Sequence, residues 1–205
     1  MMVHNMVFDM GRVMLQFDPL FISGHFVPPE DAGEFAKKVF GSACWDSLDR
    51  GTITLPQARE IMRRTLPERL LPNLDKALGE WFQYVPPVEG MDSLVRELKA
   101  AGYGIYLLTN ANFQFHQYQD TVPAWSCFDG LLVSSDYKLL KPEPAIYRAL
   151  TDKYRLEPSE CLFIDDRPEN VAGAQAVGME GIVFTDPGNL RREFVRQGVF
   201  SNLSE

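Results

Sequence analysis

Four groups of polar residues in this chain lie at or just beyond the ends of short apolar runs. Asp9 follows the first run, Thr109-Asn110 the second and Asp165-Asp166 the fourth, while Lys141 lies a few residues beyond the third. Carboxylates can act as nucleophiles or as ligands for a hard divalent cation. A site that gathered these groups would contain two or three carboxylates, a hydroxyl, an amide and an ammonium.

Each motif also has an ordinary structural explanation. An Asp that ends a strand with Gly11 close behind is a common turn, and Thr109-Asn110 is typical of a turn or a helix N-cap. Lys141 before a proline is common at the start of a helix. The pair Asp165-Asp166 differs, because adjacent like charges destabilise each other without a cation, so it favours a metal site.

The elements that would position these residues alternate between short strands and amphipathic helices. This pattern predicts an α/β fold, a Rossmann-like parallel sheet with helices on both faces. Because the carboxyl ends of parallel strands open on one edge of the sheet, the four motifs are expected in one crevice. The predicted strands cover residues 6–8, 105–108, 131–133, 161–164 and 181–184.

The stretch between the first strand and Pro86-Pro87 has helical periodicity. Asp31 with Glu34, and Thr54 with Gln57, have the spacing of capping boxes that begin helices. The two prolines mark a boundary, because neither can donate a backbone hydrogen bond. We therefore expect an inserted small all-helical cap of residues 16–86 in a Rossmann-like core of residues 1–15 and 87–205.

Composition narrows the classes of function. The net charge of −8 opposes nucleic-acid binding, so an anionic substrate must meet a local positive site. The three cysteines are widely spaced, which indicates neither a disulfide framework nor a structural zinc site. No apolar run approaches the roughly 18 residues of a membrane span. We expect a cytoplasmic protein, monomeric or homodimeric, that acts on a small molecule and binds neither membrane nor nucleic acid.

The four motifs resemble those of the haloacid dehalogenase-like (HAD) superfamily of hydrolases, most of which are phosphatases. The resemblance covers the whole chain in the correct order, with the helical insertion after the first motif. Within the superfamily the chain looks most like the branch of bacterial sugar-1-phosphate phosphatases and the phosphatase domain of soluble epoxide hydrolase. The residues that carry the resemblance are Phe8-Asp9-Met10-Gly11, Leu107-Leu108-Thr109-Asn110, Lys141-Pro142 and Phe163-Ile164-Asp165-Asp166.

The resemblance implies a Mg²⁺-dependent phosphatase for a small phosphorylated metabolite, with sugar 1-phosphates among the candidates. Asp9 would be the nucleophile and form an aspartyl-phosphate. Thr109 and the backbone amide of Asn110 would bind the phosphoryl oxygens, and Lys141 would neutralise charge between nucleophile and phosphate.

The resemblance also implies a magnesium site. The Asp9 carboxylate, the Gly11 carbonyl oxygen and Asp166 would bind the ion. Asp165 and Asn170 would hold those ligands or their waters in place.

The chain departs from the family pattern at Gly11, where most members carry the aspartate that protonates the leaving oxygen. Such a group contributes about a hundredfold to ten-thousandfold to the rate. Three explanations stay open: a substrate with an acidic leaving group, replacement of the acid by Asp46, Asp49 or a water, or attack of Asp9 on carbon as in the dehalogenases. A catalytically weak protein that binds a phosphorylated ligand is a further alternative.

Four residues are candidate substrate contacts. Arg12, next to Gly11, could bind a substrate anion. Trp45 lies beside Asp46 and Asp49 in a bend of the helical insertion.

Overall fold

A five-stranded parallel sheet forms the centre of the computed structural model, which describes residues 3–200. The strand order is β3-β2-β1-β4-β5, so the first strand is central and the predicted Rossmann-like fold class is confirmed. Phe8 of β1 lies between Leu107 of β2 and Ile164 of β4. The strands are β1 (Asn5–Phe8), β2 (Gly104–Thr109), β3 (Gly130–Val133), β4 (Cys161–Asp165) and β5 (Glu180–Val183).

Five helices occupy the chain between β1 and Pro86. Thr54 forms the predicted capping box with Gln57. The box predicted at Asp31 and Glu34 is wrong, because the helix begins earlier, at a proline, and both carboxylates bind Arg69 instead. The helices are α1 (Pro19–Gly24), α2 (Pro29–Val39), α3 (Ala43–Asp49), α4 (Leu55–Thr65) and α5 (Leu71–Glu80).

The later helices cover the sheet, and two hydrophobic clusters lie on its opposite faces. Met6 and Phe8 belong to the cluster that also contains the interior of the five inserted helices, whereas Val7 belongs to the other. In residues 3–200 no helix is both long and apolar enough to cross a membrane. The later helices are α6 (Met91–Ala100), α7 (Phe115–Tyr118), α8 (Ser134–Tyr137), α9 (Pro144–Tyr154), α10 (Pro168–Gln175) and α11 (Pro187–Arg196).

The chain enters and leaves the helical insertion at neighbouring points. The Gln16 N–H donates to the Pro86 carbonyl at 2.8 Å, and the Val88 N–H donates to the Met14 carbonyl at 2.9 Å. A bridge between Leu15 and Pro87 lies between these two bonds. The segments that lead into and out of the insertion therefore run side by side next to the carboxyl end of β1.

Candidate active site

The carboxyl edge of the sheet gathers the polar residues that follow its strands. Asp9 comes directly after β1, and its N–H donates to the Ile164 carbonyl of β4 at 2.8 Å. Thr109 and Asp165 are the last residues of β2 and β4. All three are buried. The parallel register brings them to the same edge because each ends its strand.

Lys141 lies between two carboxylates at this edge. Its Nζ atom is 2.6 Å from Asp9 Oδ1 and 2.6 Å from Asp165 Oδ2, and it donates to the Leu108 carbonyl at 3.0 Å. The Asn110 side chain holds the Lys141 backbone, accepting from its N–H at 2.9 Å and donating to its carbonyl at 3.1 Å. The family resemblance implies only a backbone role for Asn110, so this use of its side chain was not predicted from the sequence.

The charges in this cluster are strongly coupled. Burial is the largest influence on Asp9 and raises the pKa of its carboxyl to about 7, with Lys141 opposing the rise and Asp165 adding to it. Burial also raises the pKa of Asp166, again with a contribution from Asp165. Burial alone would lower the pKa of Lys141, but the two neighbouring carboxylates outweigh it and the pKa is raised. Three carboxylates and one ammonium leave an excess of negative charge.

The carboxylates are spaced for a metal ion. One oxygen each from Asp9, Asp165 and Asp166 lies within 4.8 Å of the others. Asp165 is already held by donors: Lys141 Nζ, the Arg167 N–H at 2.9 Å, and the side-chain amide of Asn170 at 3.0 and 3.1 Å. Asp165 is therefore placed to orient its neighbours, while Asp9 and Asp166 line the adjacent pocket.

Two buried oxygen atoms of the predicted site residues have no hydrogen-bond partner within residues 3–200. They are the Thr109 hydroxyl and the Asn170 amide oxygen. A buried polar atom without a hydrogen-bond partner destabilises the fold unless a ligand or a water molecule supplies the missing hydrogen bond. A hydroxyl suits an anionic oxygen and an amide oxygen suits a bound water, so both atoms fit a site for an anion and a hydrated cation.

In the turn after Asp9, the left-handed backbone conformation falls on Arg12, with φ of 59°, and not on Gly11. A Cβ atom on Gly11 would meet only Phe17 Cβ, at 3.8 Å, which is ordinary contact. A Cβ atom is therefore not sterically excluded at this position. The Arg12 guanidinium is exposed, 3.8 Å from Asp166.

A pocket of about 330 Å³ opens above this cluster. Arg12, Trp45, Asp46 and Asp49 all line it, so the four candidate substrate contacts share a cavity with Asp9. Helical periodicity places Phe40 and Trp81 in helix interiors. Four further aromatic residues, which the sequence did not assign to a pocket, also line the cavity. These are Phe17, Phe40, Trp81 and Tyr118.

Asp49 is half-buried in the pocket wall, whereas Asp46 is exposed. Burial raises the pKa of Asp49 well above its usual value, although hydrogen bonds from Asn112 and Trp45 oppose the rise. The Asn112 amide donates to Asp49 Oδ1 at 3.3 Å. The Ser134 hydroxyl donates to the Asp49 backbone carbonyl, which fixes the end of α3 against the start of α8.

Comparison with known proteins gives consistent matches. The sequence model described as haloacid dehalogenase-like hydrolase matches residues 40–178. The sesquiterpene phosphatase astK of Aspergillus oryzae is 31% identical over 183 residues, which are 88% of this chain and 89% of that protein. The bifunctional epoxide hydrolase 2 of Rattus norvegicus is 31% identical over 101 residues, 47% of this chain, and the matched part is 18% of that protein.

Solved structures agree on the fold. A HAD family enzyme from Bacteroides thetaiotaomicron, in complex with magnesium and inorganic phosphate, superposes with a TM-score of 0.70 at 22% identity. The superposition covers 90% of this chain and 95% of that one.

Proposed function

The chain belongs to the haloacid dehalogenase-like hydrolase family, and on that premise we propose that it is a Mg²⁺-dependent phosphatase. It would hydrolyse a small phosphorylated metabolite through an aspartyl-phosphate on Asp9. The observation that carries the proposal is the buried Lys141 ammonium held between the Asp9 and Asp165 carboxylates. The sesquiterpene phosphatase relative supports phosphate-ester hydrolysis, and its name adds phosphorylated terpenes to the sugar 1-phosphates as candidate substrates.

The reaction divides into two displacements at phosphorus. An oxygen of Asp9 attacks the phosphorus atom, and the bond between phosphorus and the organic oxygen breaks, leaving its electron pair on that oxygen, which takes up a proton. Water then attacks the aspartyl-phosphate at phosphorus, loses a proton, and restores the Asp9 carboxylate with release of inorganic phosphate. Lys141 neutralises charge, while the Thr109 hydroxyl and the Asn110 N–H bind phosphoryl oxygens.

Oxygen ligands at the sheet edge fit a magnesium ion. Asp9, Asp166 and the Gly11 carbonyl would hold it, and Asp165 and Asn170 would orient those ligands and their waters. When bound, the ion offsets the repulsion between a carboxylate nucleophile and a phosphate dianion. The excess negative charge of the cluster and the unpaired Asn170 oxygen support this assignment.

We also propose that the helical insertion is a cap that closes over the pocket. The paired crossings of the chain at residues 14–16 and 86–88 support this division. Trp45, Asp46 and Asp49 line the pocket from the insertion, and Arg12 lines it from the turn beside Asp9. We propose all four as substrate contacts, with Arg12 placed to bind a substrate anion. The core would comprise residues 1–15 and 87–205, and the cap residues 16–86.

Asp49 is the candidate for the acid that Gly11 lacks. Burial raises the pKa of the Asp49 carboxyl, and a carboxyl with a raised pKa is better suited to donate a proton to a leaving oxygen. We expect Asp49→Asn to lower kcat/KM for alkyl phosphates by roughly a hundredfold. Aryl phosphates should change far less, because their leaving oxygen needs little protonation. Equal losses on both ester classes, or none on alkyl esters, would exclude this role.

A panel of phosphate esters assayed with and without Mg²⁺ tests the proposed function. We expect hydrolysis of several esters in the presence of Mg²⁺ and its loss after chelation, with restoration when Mg²⁺ is returned. Hydrolysis that is independent of Mg²⁺ contradicts the proposal. Turnover of 2-haloacids in place of phosphates would indicate attack on carbon, and phosphate-ester binding without turnover would indicate a binding protein.

A further inference from the structure

Five aromatic side chains line the pocket, and we call them the aromatic wall: Phe17, Phe40, Trp45, Trp81 and Tyr118. Their rings pack edge to face in one connected group. Ring centroids are 4.8 Å apart for Phe40 and Trp45, 5.3 Å for Trp45 and Trp81, and 5.5 Å for Trp81 and Tyr118. Phe17 completes the group at 5.6 Å from Trp81. Mutual packing of this kind fixes the rings before a ligand arrives.

The wall offers its ligand mainly carbon atoms. The Trp81 indole N–H donates to the Gln114 side-chain oxygen at 3.2 Å, and the Gln114 amide donates to the Leu78 carbonyl at 2.8 Å. The polar atom of the central ring is therefore satisfied inside the protein. Oδ1 of Asp49, the half-buried carboxyl beside the wall, already accepts from Asn112.

We propose that the aromatic wall binds an apolar organic group, so that the substrate is the phosphate monoester of a hydrocarbon-like alcohol, aliphatic or aryl, rather than a sugar phosphate. This inference rests on the proposed function for the position of the phosphate. Sugar hydroxyls placed against ring carbons would lose their hydrogen bonds to water without replacement. An apolar group of similar size gains from leaving water. The cavity volume of about 330 Å³ is at the small end for ligand pockets and suits one such group with its phosphate.

Binding of non-hydrolysable phosphonates tests the wall without requiring turnover. Methyl-, butyl-, hexyl-, octyl- and phenylphosphonate are titrated in the presence of Mg²⁺, with intrinsic tryptophan fluorescence and calorimetry as readouts. We expect affinity to rise roughly threefold to fourfold per added methylene group until the wall is covered. Comparison of phenyl- with hexylphosphonate distinguishes an aryl from an aliphatic substrate. Glucose 1-phosphate should bind more weakly than hexylphosphonate.

A matched pair of variants assigns the effect to the wall. Phe17→Ala removes a half-buried ring of the wall and should weaken hexylphosphonate binding by about tenfold or more. It should leave methylphosphonate binding unchanged, which also shows that the variant is folded. Phe21→Ala removes a ring that is 52% exposed and lies outside the pocket, and it should change neither affinity.

Affinity that does not depend on chain length would overturn the inference, as would glucose 1-phosphate binding as tightly as hexylphosphonate or a complete lack of phosphonate binding. Failure of the proposed function has a different signature. If the proposed function is wrong and the inference is right, the phosphonates would still bind with an affinity that depends on chain length, but no phosphate ester of any class would be hydrolysed. That result would support an apolar ligand and contradict the phosphatase activity.

Discussion

Phosphate-ester hydrolysis falls on the order of ten-thousandfold or more in Asp9→Asn, because an amide cannot attack phosphorus. The fold should survive the change. Burial already disfavours the Asp9 carboxylate, and Lys141 keeps Asp165 as a partner. We therefore expect the free energy of unfolding at neutral pH to stay the same or to rise. Initial rates at saturating Mg²⁺ and urea unfolding of the same preparation measure the two effects.

Asp152→Asn is the matched control for Asp9→Asn. It makes the same chemical change at an exposed position on α9 that does not line the pocket. We expect wild-type rates from it. Asp9→Asn enzyme that retains more than about a tenth of the wild-type rate would contradict the role of Asp9 as nucleophile.

Lys141→Met is expected to lose both activity and stability. It leaves the Asp9 and Asp165 carboxylates buried without their cation, and breaking a buried ion pair in this way typically costs about 3 to 5 kcal/mol. Urea unfolding measures the loss. Added Mg²⁺ should recover part of the stability but not the rate, because it supplies charge near the carboxylates without replacing the ammonium.

Two further variants test whether the loss of stability comes from the unpaired buried carboxylates or from the removal of any lysine. Lys99→Met breaks an ion pair with Asp129 at the surface, where both side chains are more than a third exposed, and should cost less than about 1 kcal/mol. Adding Asp9→Asn to Lys141→Met should restore part of the stability, because one unpaired carboxylate is removed. A Lys141→Met protein as stable as the wild type would contradict the buried triad.

The strand ends could be predicted from the sequence because each signal is local. An apolar run, a polar residue and a turn together indicate the carboxyl end of a strand, and the parallel sheet then brings Asp9, Thr109 and Asp165 to one edge. The pair Asp165-Asp166 needed only the repulsion between adjacent carboxylates to indicate a cation. The fold class and the sheet edge therefore follow from short segments of the chain.

The aromatic wall could not be predicted in this way. Its members come from the turn after β1, from the inserted helices and from the segment after β2, and only tertiary packing brings them together. Helical periodicity says that Phe40 and Trp81 are apolar and inward-facing, but not which cavity they border. The side-chain clamp of Asn110 on Lys141 was missed for the same reason, since it joins residues 31 positions apart.

The capping box predicted at the start of α2 is wrong because a local proline and a distant arginine both act on the same segment. Asp31 and Glu34 have the correct spacing, but Pro29 suits the first turn of a helix and begins it earlier. The two carboxylates then bind Arg69, which lies far along the chain. Local spacing predicted the helix and misplaced its first residue.

Covalent capture of phosphate on Asp9 tests the central claim most directly. Enzyme is mixed with Mg²⁺ and a phosphate-labelled ester that the panel has identified as a substrate, quenched in acid within the first turnover, and digested for mass spectrometry. We predict label on the carboxylate of Asp9 and on no other residue, with none in Asp9→Asn. Full turnover by the wild type with label on a different residue, or with no label at any time before the first turnover is complete, would contradict the account.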